Sequence, residues 1–143
     1  MNKRFFYLLS SIIWMGVIFY FSSQNADASG EDSSIIRNFL IGVFTDSPSE
    51  TLLYIAEVFV RKVAHISEFF ILAVLVYKTL TSFDIQTKKA VICIFVCFLY
   101  AVSDEVHQFF VPGRACRWYD VLIDTCGSLF AVGIFELLKK RSK

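Results

Sequence analysis

Two short stretches hold most of the side chains capable of acid–base or ion-binding chemistry, and both sit against long apolar runs. The first is Arg61-Lys62-Val63-Ala64-His65-Ile66-Ser67-Glu68. The second runs from Ser103-Asp104-Glu105-Val106-His107-Gln108 through Pro112-Gly113-Arg114 to Asp120 and Asp124. A charge in or beside hydrocarbon costs roughly 2.5–3.5 kcal/mol on insertion scales, so ionisable residues there face a partner or a polar cavity. His65 and Glu68 suit a general base, Asp104 and Glu105 its acidic partner, and these four are the catalytic candidates. Arg114, just after the Pro112-Gly113 turn, offers a planar donor fork that fits phosphate or carboxylate.

Spacing gathers these groups. On a helix beginning near Arg61, positions 61, 65 and 68 repeat at i, i+4, i+7 and share a stripe, with Lys62 beside it. Asp104 and Gln108 are i, i+4 neighbours, and Asp120 and Asp124 repeat that spacing at the start of the last helix, where carboxylates favour the dipole. Lys62, Gln108, Arg114, Asp120 and Asp124 are therefore read as ligand-binding residues of one outward-facing pocket. The competing structural roles are His65 orienting Glu68, and Asp104, Glu105 and Asp120 held in ion pairs by Arg114 and Lys62. His65, Glu68, Asp104, Glu105 and His107 are acceptable metal ligands. No H-E-x-x-H or comparable spacing occurs, however, so neither a metal site nor any cofactor is read from the sequence. Ser67 and Ser103 lack a nucleophile elbow.

The elements that position these groups are membrane helices. The chain has 143 residues, 56% of them hydrophobic, with sixteen phenylalanines, which is too apolar for a soluble domain of this size. Net charge is only +1 and no basic stripe occurs, which argues against a nucleic-acid partner. Four apolar runs, at about 5–21, 64–80, 88–107 and 121–138, approach the roughly 17–25 residues needed to cross about 30 Å of hydrocarbon. None alternates as barrel strands do. The fold class expected is all-α, an integral membrane four-helix bundle forming a single domain over 1–143, with short interfacial helices in the long outer loop. Those interfacial pieces are Ile35–Phe44 and Thr51–Val60, each too short to span.

Lys3 and Arg4 precede the first run, Lys78, Lys88 and Lys89 flank the second connection, and Lys139, Lys140, Arg141 and Lys143 follow the last. The positive-inside rule then puts both termini in the cytoplasm. The first connection, with Asp27, Glu31, Asp32, Asp46, Glu50 and Glu57, falls outside. Lys3-Arg4, an apolar stretch and Ala26-Asp27-Ala28 have the outline of a cleaved secretory signal, but the stretch exceeds the usual 7–15 residues and reads as a retained helix. Gly127, Ser128, Ala131 and Gly133 suit close helix contact in the last run. Cys93 and Cys97 read as packing residues, and a Cys116–Cys126 bridge is allowed by compartment but not expected.

The polar pattern as a whole resembles a known family. Lys62-x-x-His65-x-x-Glu68, then Asp104-Glu105-x-x-Gln108-x-x-x-Pro112-Gly113-Arg114, then Asp120, position 124 and Gly127, is similar to the VanZ-like family of small bacterial membrane proteins. Trp14, Ser22-Ser23-Gln24 and Ser34 resemble that family's first helix and outer loop. One departure is Asp124, where Asn is expected. The resemblance implies an envelope membrane protein associated with resistance to glycopeptides such as teicoplanin. Two functions follow as expectations: binding of an anionic membrane lipid or a lipid-linked cell-wall precursor, or intramembrane enzymatic modification of such a lipid.

Overall fold

The long apolar runs close their backbone hydrogen bonds within themselves, as segments without water must. The computed structural model describes residues 2–141 apart from Asn25, Phe44, Asp46, Gln86 and Ala115, with side chains given outside 26–33. Five helices follow in order: α1 (Lys3–Ser23), α2 (Ala26–Gly42), α3 (Glu50–Ser82), α4 (Lys89–Gln108) and α5 (Trp118–Arg141). No strand occurs among the described residues. α1, α4 and α5 are long and apolar enough to cross a membrane. The side chains of Asp27, Glu31 and Asp32, together with Asp46 and Lys143, lie outside the described residues, as do those of Ala26-Asp27-Ala28.

One expected boundary is absent. Thr51–Val60 is not a separate interfacial helix but the first third of α3, which runs unbroken for 33 residues. No glycine or proline interrupts Glu50–Ser82, and Arg61-Lys62 are good helix formers whose charges mark a change of surroundings rather than an end. Ser49 starts the helix, its side chain accepting from the Leu52 N–H at 3.3 Å. At 1.5 Å per residue α3 is about 50 Å long, well beyond a hydrocarbon core of about 30 Å. Ile35 and its apolar neighbours belong to the longer α2, which packs on α3 and is tied to it by Arg37 and Glu57 at 2.7 Å.

The expected span at 64–80 forms the C-terminal half of α3 and packs against α1, α4 and α5. Its Phe69, Leu72, Ala73 and Val76 meet Ile18 of α1, Cys93, Cys97 and Ala101 of α4, and Ala131 and Val132 of α5. Gly127, Ser128 and Ala131 are buried as expected, whereas Gly133 points away and meets nothing within 4 Å. All four cysteines are free, with Cys93 and Cys97 in the core. α1 is held in place by Trp14, whose indole N–H donates to the Glu68 carbonyl at 2.9 Å, and by Tyr100, whose hydroxyl donates to the Met15 carbonyl at 2.5 Å. Apolar side chains such as Ile12, Phe95 and Phe130 cover the outside, a surface that lipid stabilises and water does not.

The two ends of the bundle differ. At one end Arg4 pairs with Asp84 at 2.8 Å, and Lys3, Lys78, Lys89 and Lys139 line a groove of about 770 Å³. Both ends of the chain's helical part therefore lie together. At the other end the core stripes turn polar: on α4 the buried series Cys93, Cys97, Ala101 continues as Asp104 and Gln108, and on α5 Asp124 precedes Gly127, Ser128 and Ala131.

Candidate functional site

The polar end gathers side chains from α1, α3, α4 and α5. On α3, the His65 Nδ1 lies 3.6 Å from the Asp124 Oδ1 of α5 and 3.9 Å from the Glu68 Oε2 one turn away. Asp104 of α4 accepts at Oδ2 from the Ser22 hydroxyl and the Gln108 side-chain amide, both at 2.9 Å. One ligand-capable atom from each of His65, Asp104 and Asp124 lies within 4.8 Å of the others. Three helices, with no short spacing between the residues, supply this cluster, which explains why motif reading yields no metal site.

The remaining predicted residues surround it. Lys62 pairs with Asp120, and its ammonium also lies 5.1 Å from the centre of the Tyr119 ring. Glu105 turns toward the α4–α5 loop and accepts from the Arg117 backbone N–H at 2.8 Å. His107 stands apart from the cluster, stacked on Phe19 with ring centres 4.1 Å apart and 3.0 Å from the Ser23 hydroxyl.

Arg114 is aimed by a tight turn. The Arg114 N–H bonds the Val111 carbonyl at 3.1 Å, Pro112 presets the first central position, and Gly113 takes φ 77, a value that favours glycine. Its guanidinium donates from Nε to the Gln24 carbonyl at 3.2 Å and from an Nη to the Phe21 carbonyl at 3.3 Å. It thus closes the C-terminal end of α1, where a cation complements the helix dipole. Those carbonyl partners leave no mark in sequence, since any residue supplies a backbone oxygen. Burial, reinforced by the charge of Arg61, pulls Arg114 below its ordinary pKa.

A cavity of about 270 Å³ opens beside this group, lined by Arg61, Arg114, His65 and Glu68 together with Phe21, Ile36, Val60 and Ala64. A smaller one of about 120 Å³ shares Arg61, His65 and Arg114 and reaches Lys62, Gln108 and Asp120. Ser22, singled out in the sequence only through the resemblance of Ser22-Ser23-Gln24 to the family's first helix and outer loop, is the partner of Asp104.

Lys62, His65, Glu68, Asp104, Gln108, Arg114 and Asp124 are thus gathered at one end, and the family model described as VanZ/LLP1 matches residues 6–139, a range that includes all of them. The chain belongs to the VanZ-like family. It is 30% identical to the uncharacterized membrane protein YwnJ of Bacillus subtilis (strain 168) over 108 residues, which is 76% of this chain and 67% of that protein. No solved structure matches. Membership and the three span-length helices make it a membrane protein of VanZ-like type.

Proposed function

We propose that this VanZ-like protein crosses the membrane four times, keeps both termini in the cytoplasm, and uses its outward-facing cavity to hold an anionic lipid headgroup or a lipid-linked cell-wall precursor. The observation that carries this reading is that Arg61 and Arg114, close enough for their charges to interact, both line one cavity whose lining also includes Phe21, Ile36 and Val60. Two cations brought close in a partly buried setting are stabilised by an anion placed between them. Phe21, Ile36 and Val60 suit the first carbons of acyl or prenyl chains. Occupancy of a cell-wall intermediate in this way would contribute to resistance to teicoplanin-type glycopeptides.

Native mass spectrometry of gently extracted protein is expected to show a co-purifying anionic lipid, unchanged in mass after incubation. Extraction free of any such lipid, with no gain on adding one, would overturn the binding reading.

A second reading is an intramembrane enzyme acting on the same lipid. It draws on the His65 Nδ1, which lies near two carboxylates without a hydrogen bond to either, an arrangement suited to taking up a proton. Conversion of the co-purified lipid during that incubation, lost on His65→Ala, is the result it requires.

The orientation rests on the cations gathered at the end opposite the cavity. In a Cys126→Ser background, a membrane-impermeant maleimide is expected to label Cys116 and a cysteine introduced at position 30 in intact cells. A cysteine introduced at Lys140 should react only after permeabilisation. The reverse pattern places the cavity in the cytoplasm.

A further inference from the structure

Asp124 is fully buried, and neither of its carboxylate oxygens has a hydrogen-bond partner. An isolated carboxylate in such surroundings carries a desolvation penalty of several kcal/mol, so it needs a proton, a donor or a cation. Two of the neighbouring cations are engaged elsewhere: Lys62 pairs with Asp120, and Arg114 donates to the Phe21 and Gln24 carbonyls. Asp104 is also buried. Its Oδ2 is fixed by Ser22 and Gln108, while its Oδ1 has no partner. The His65 Nδ1 of α3 is unsatisfied too, and one ligand-capable atom each from His65, Asp104 and Asp124 lies within 4.8 Å of the others.

We propose that His65, Asp104 and Asp124 bind one divalent transition-metal ion of the zinc or manganese class. At metal–ligand distances of about 2.0–2.1 Å, neighbouring ligands of a tetrahedral site stand about 3.3 Å apart. The His65 Nδ1 and the Asp124 Oδ1, at 3.6 Å, are within a few tenths of an ångström of that edge. The other pairs, all within 4.8 Å, close by side-chain torsion. One imidazole with two carboxylates suits Zn²⁺ or Mn²⁺ better than Ca²⁺, which takes oxygen ligands alone, or a thiophilic ion. Ser22 and Gln108 form the outer shell that such ligands require, gripping the Asp104 Oδ2 and leaving its Oδ1 without a partner. Three protein ligands leave a further position open, as in sites that bind a substrate or water. His65 lines the cavity beside Arg61 and Arg114, so that position lies where the lipid reading places an anion. This last point rests on that reading, whereas metal binding itself does not.

The test uses the full chain in detergent, stripped with a chelator and titrated with Zn²⁺ and then Mn²⁺, with bound metal measured by elemental analysis after dialysis. One tightly held equivalent per chain is expected. Asp124→Asn and Asp104→Asn should each weaken it by about 100-fold or more, since even outer-shell changes cost 10–100-fold. Glu57→Gln, in the Arg37 pair on the α2–α3 contact, should leave it unchanged. X-ray absorption at the zinc edge of the loaded wild-type protein should show nitrogen and oxygen ligands with an imidazole signature, and it decides the matter even if the aspartate variants fail to fold. Three results would overturn the proposal: no stoichiometric metal in the wild type, which makes protons the occupants of the cluster; sulfur in the ligand shell, which assigns the ion to the exposed Cys116 or Cys126; or unchanged affinity in folded Asp124→Asn. Because no lipid enters these measurements, they stand or fall separately from the lipid experiment.

Discussion

Replacing Gly127 with alanine is expected to destabilise the protein by about 2 kcal/mol, within the usual 1–3 kcal/mol of an overpacked core. A Cβ at this position would come 2.3 Å from the Ile66 carbonyl oxygen, with the Ile66 carbonyl carbon and Cα at 3.1 and 3.2 Å. All three are backbone atoms, so no rotamer change relieves the clash and α5 must move away from α3. That displacement strains the neighbouring Ser128 hydroxyl contact to the Phe69 carbonyl, at 3.3 Å, and lengthens the path between His65 and Asp124. The matched control lies on the same helix: Gly133→Ala meets nothing within 4 Å and gains helix propensity, so it should be neutral or stabilising by up to about 1 kcal/mol. Thermal unfolding of both variants in one detergent measures the difference. Equal stabilities would show that α3 and α5 can separate without cost, and would remove close backbone approach as the role of this glycine.

Much of this interface is legible in the sequence, and the reason it is only part is physical. Gly127, Ser128 and Ala131 follow helical spacing, so a shared buried face is readable. That Gly133 turns outward while Gly127 touches a backbone depends on the rotation of α5, which its low amphipathicity does not encode. The polar residues behave similarly. Helical spacing places His65 and Glu68 on one stripe and Asp104 and Gln108 on another, and the structure puts these stripes at one end of the bundle. It does not specify that Asp124 rather than Glu105 faces His65, since that follows from how α4 and α5 are turned. The start of α3 is hidden for a different reason. Charge and helix continuity are independent properties, and Arg61-Lys62 alters the first without ending the second.

The same distinction separates the two halves of the α4–α5 connection. Pro112-Gly113 encodes a turn through backbone preference, and a turn of that kind forms. The partners of the arginine it presents are carbonyls of α1, which sequence chemistry cannot single out. Arg114 consequently joins two tasks: it secures the end of α1 through Nε and one Nη, and it places a positive charge on the cavity wall next to Arg61.

Arg114→Lys is therefore expected to preserve membrane insertion while losing most of the co-purifying lipid, and Arg114→Ala to lose the lipid and part of the fold. Hydrogen bonds from a charged donor contribute about 1.5–3 kcal/mol when buried. Here one of the two donors is exposed, so the alanine variant should lose about 1–3 kcal/mol in total. Lysine keeps the charge and can reach one carbonyl of Phe21 or Gln24, which retains much of the stability. As a point donor on a flexible stem it cannot hold that carbonyl and also present a planar edge to an anion. Unfolding temperature and lipid retention of wild type, Arg114→Lys and Arg114→Ala, measured at matched expression together with teicoplanin susceptibility of the host, separate the two tasks. Stability near wild type with lipid retention lost is the expected pattern for lysine. If the lysine variant keeps both, charge alone suffices at this position and the planar-fork contact to the anion is wrong. If lipid is lost only in proportion to stability across the two variants, Arg114 serves α1 alone, and Arg61 becomes the residue to which an anion in the cavity must bind.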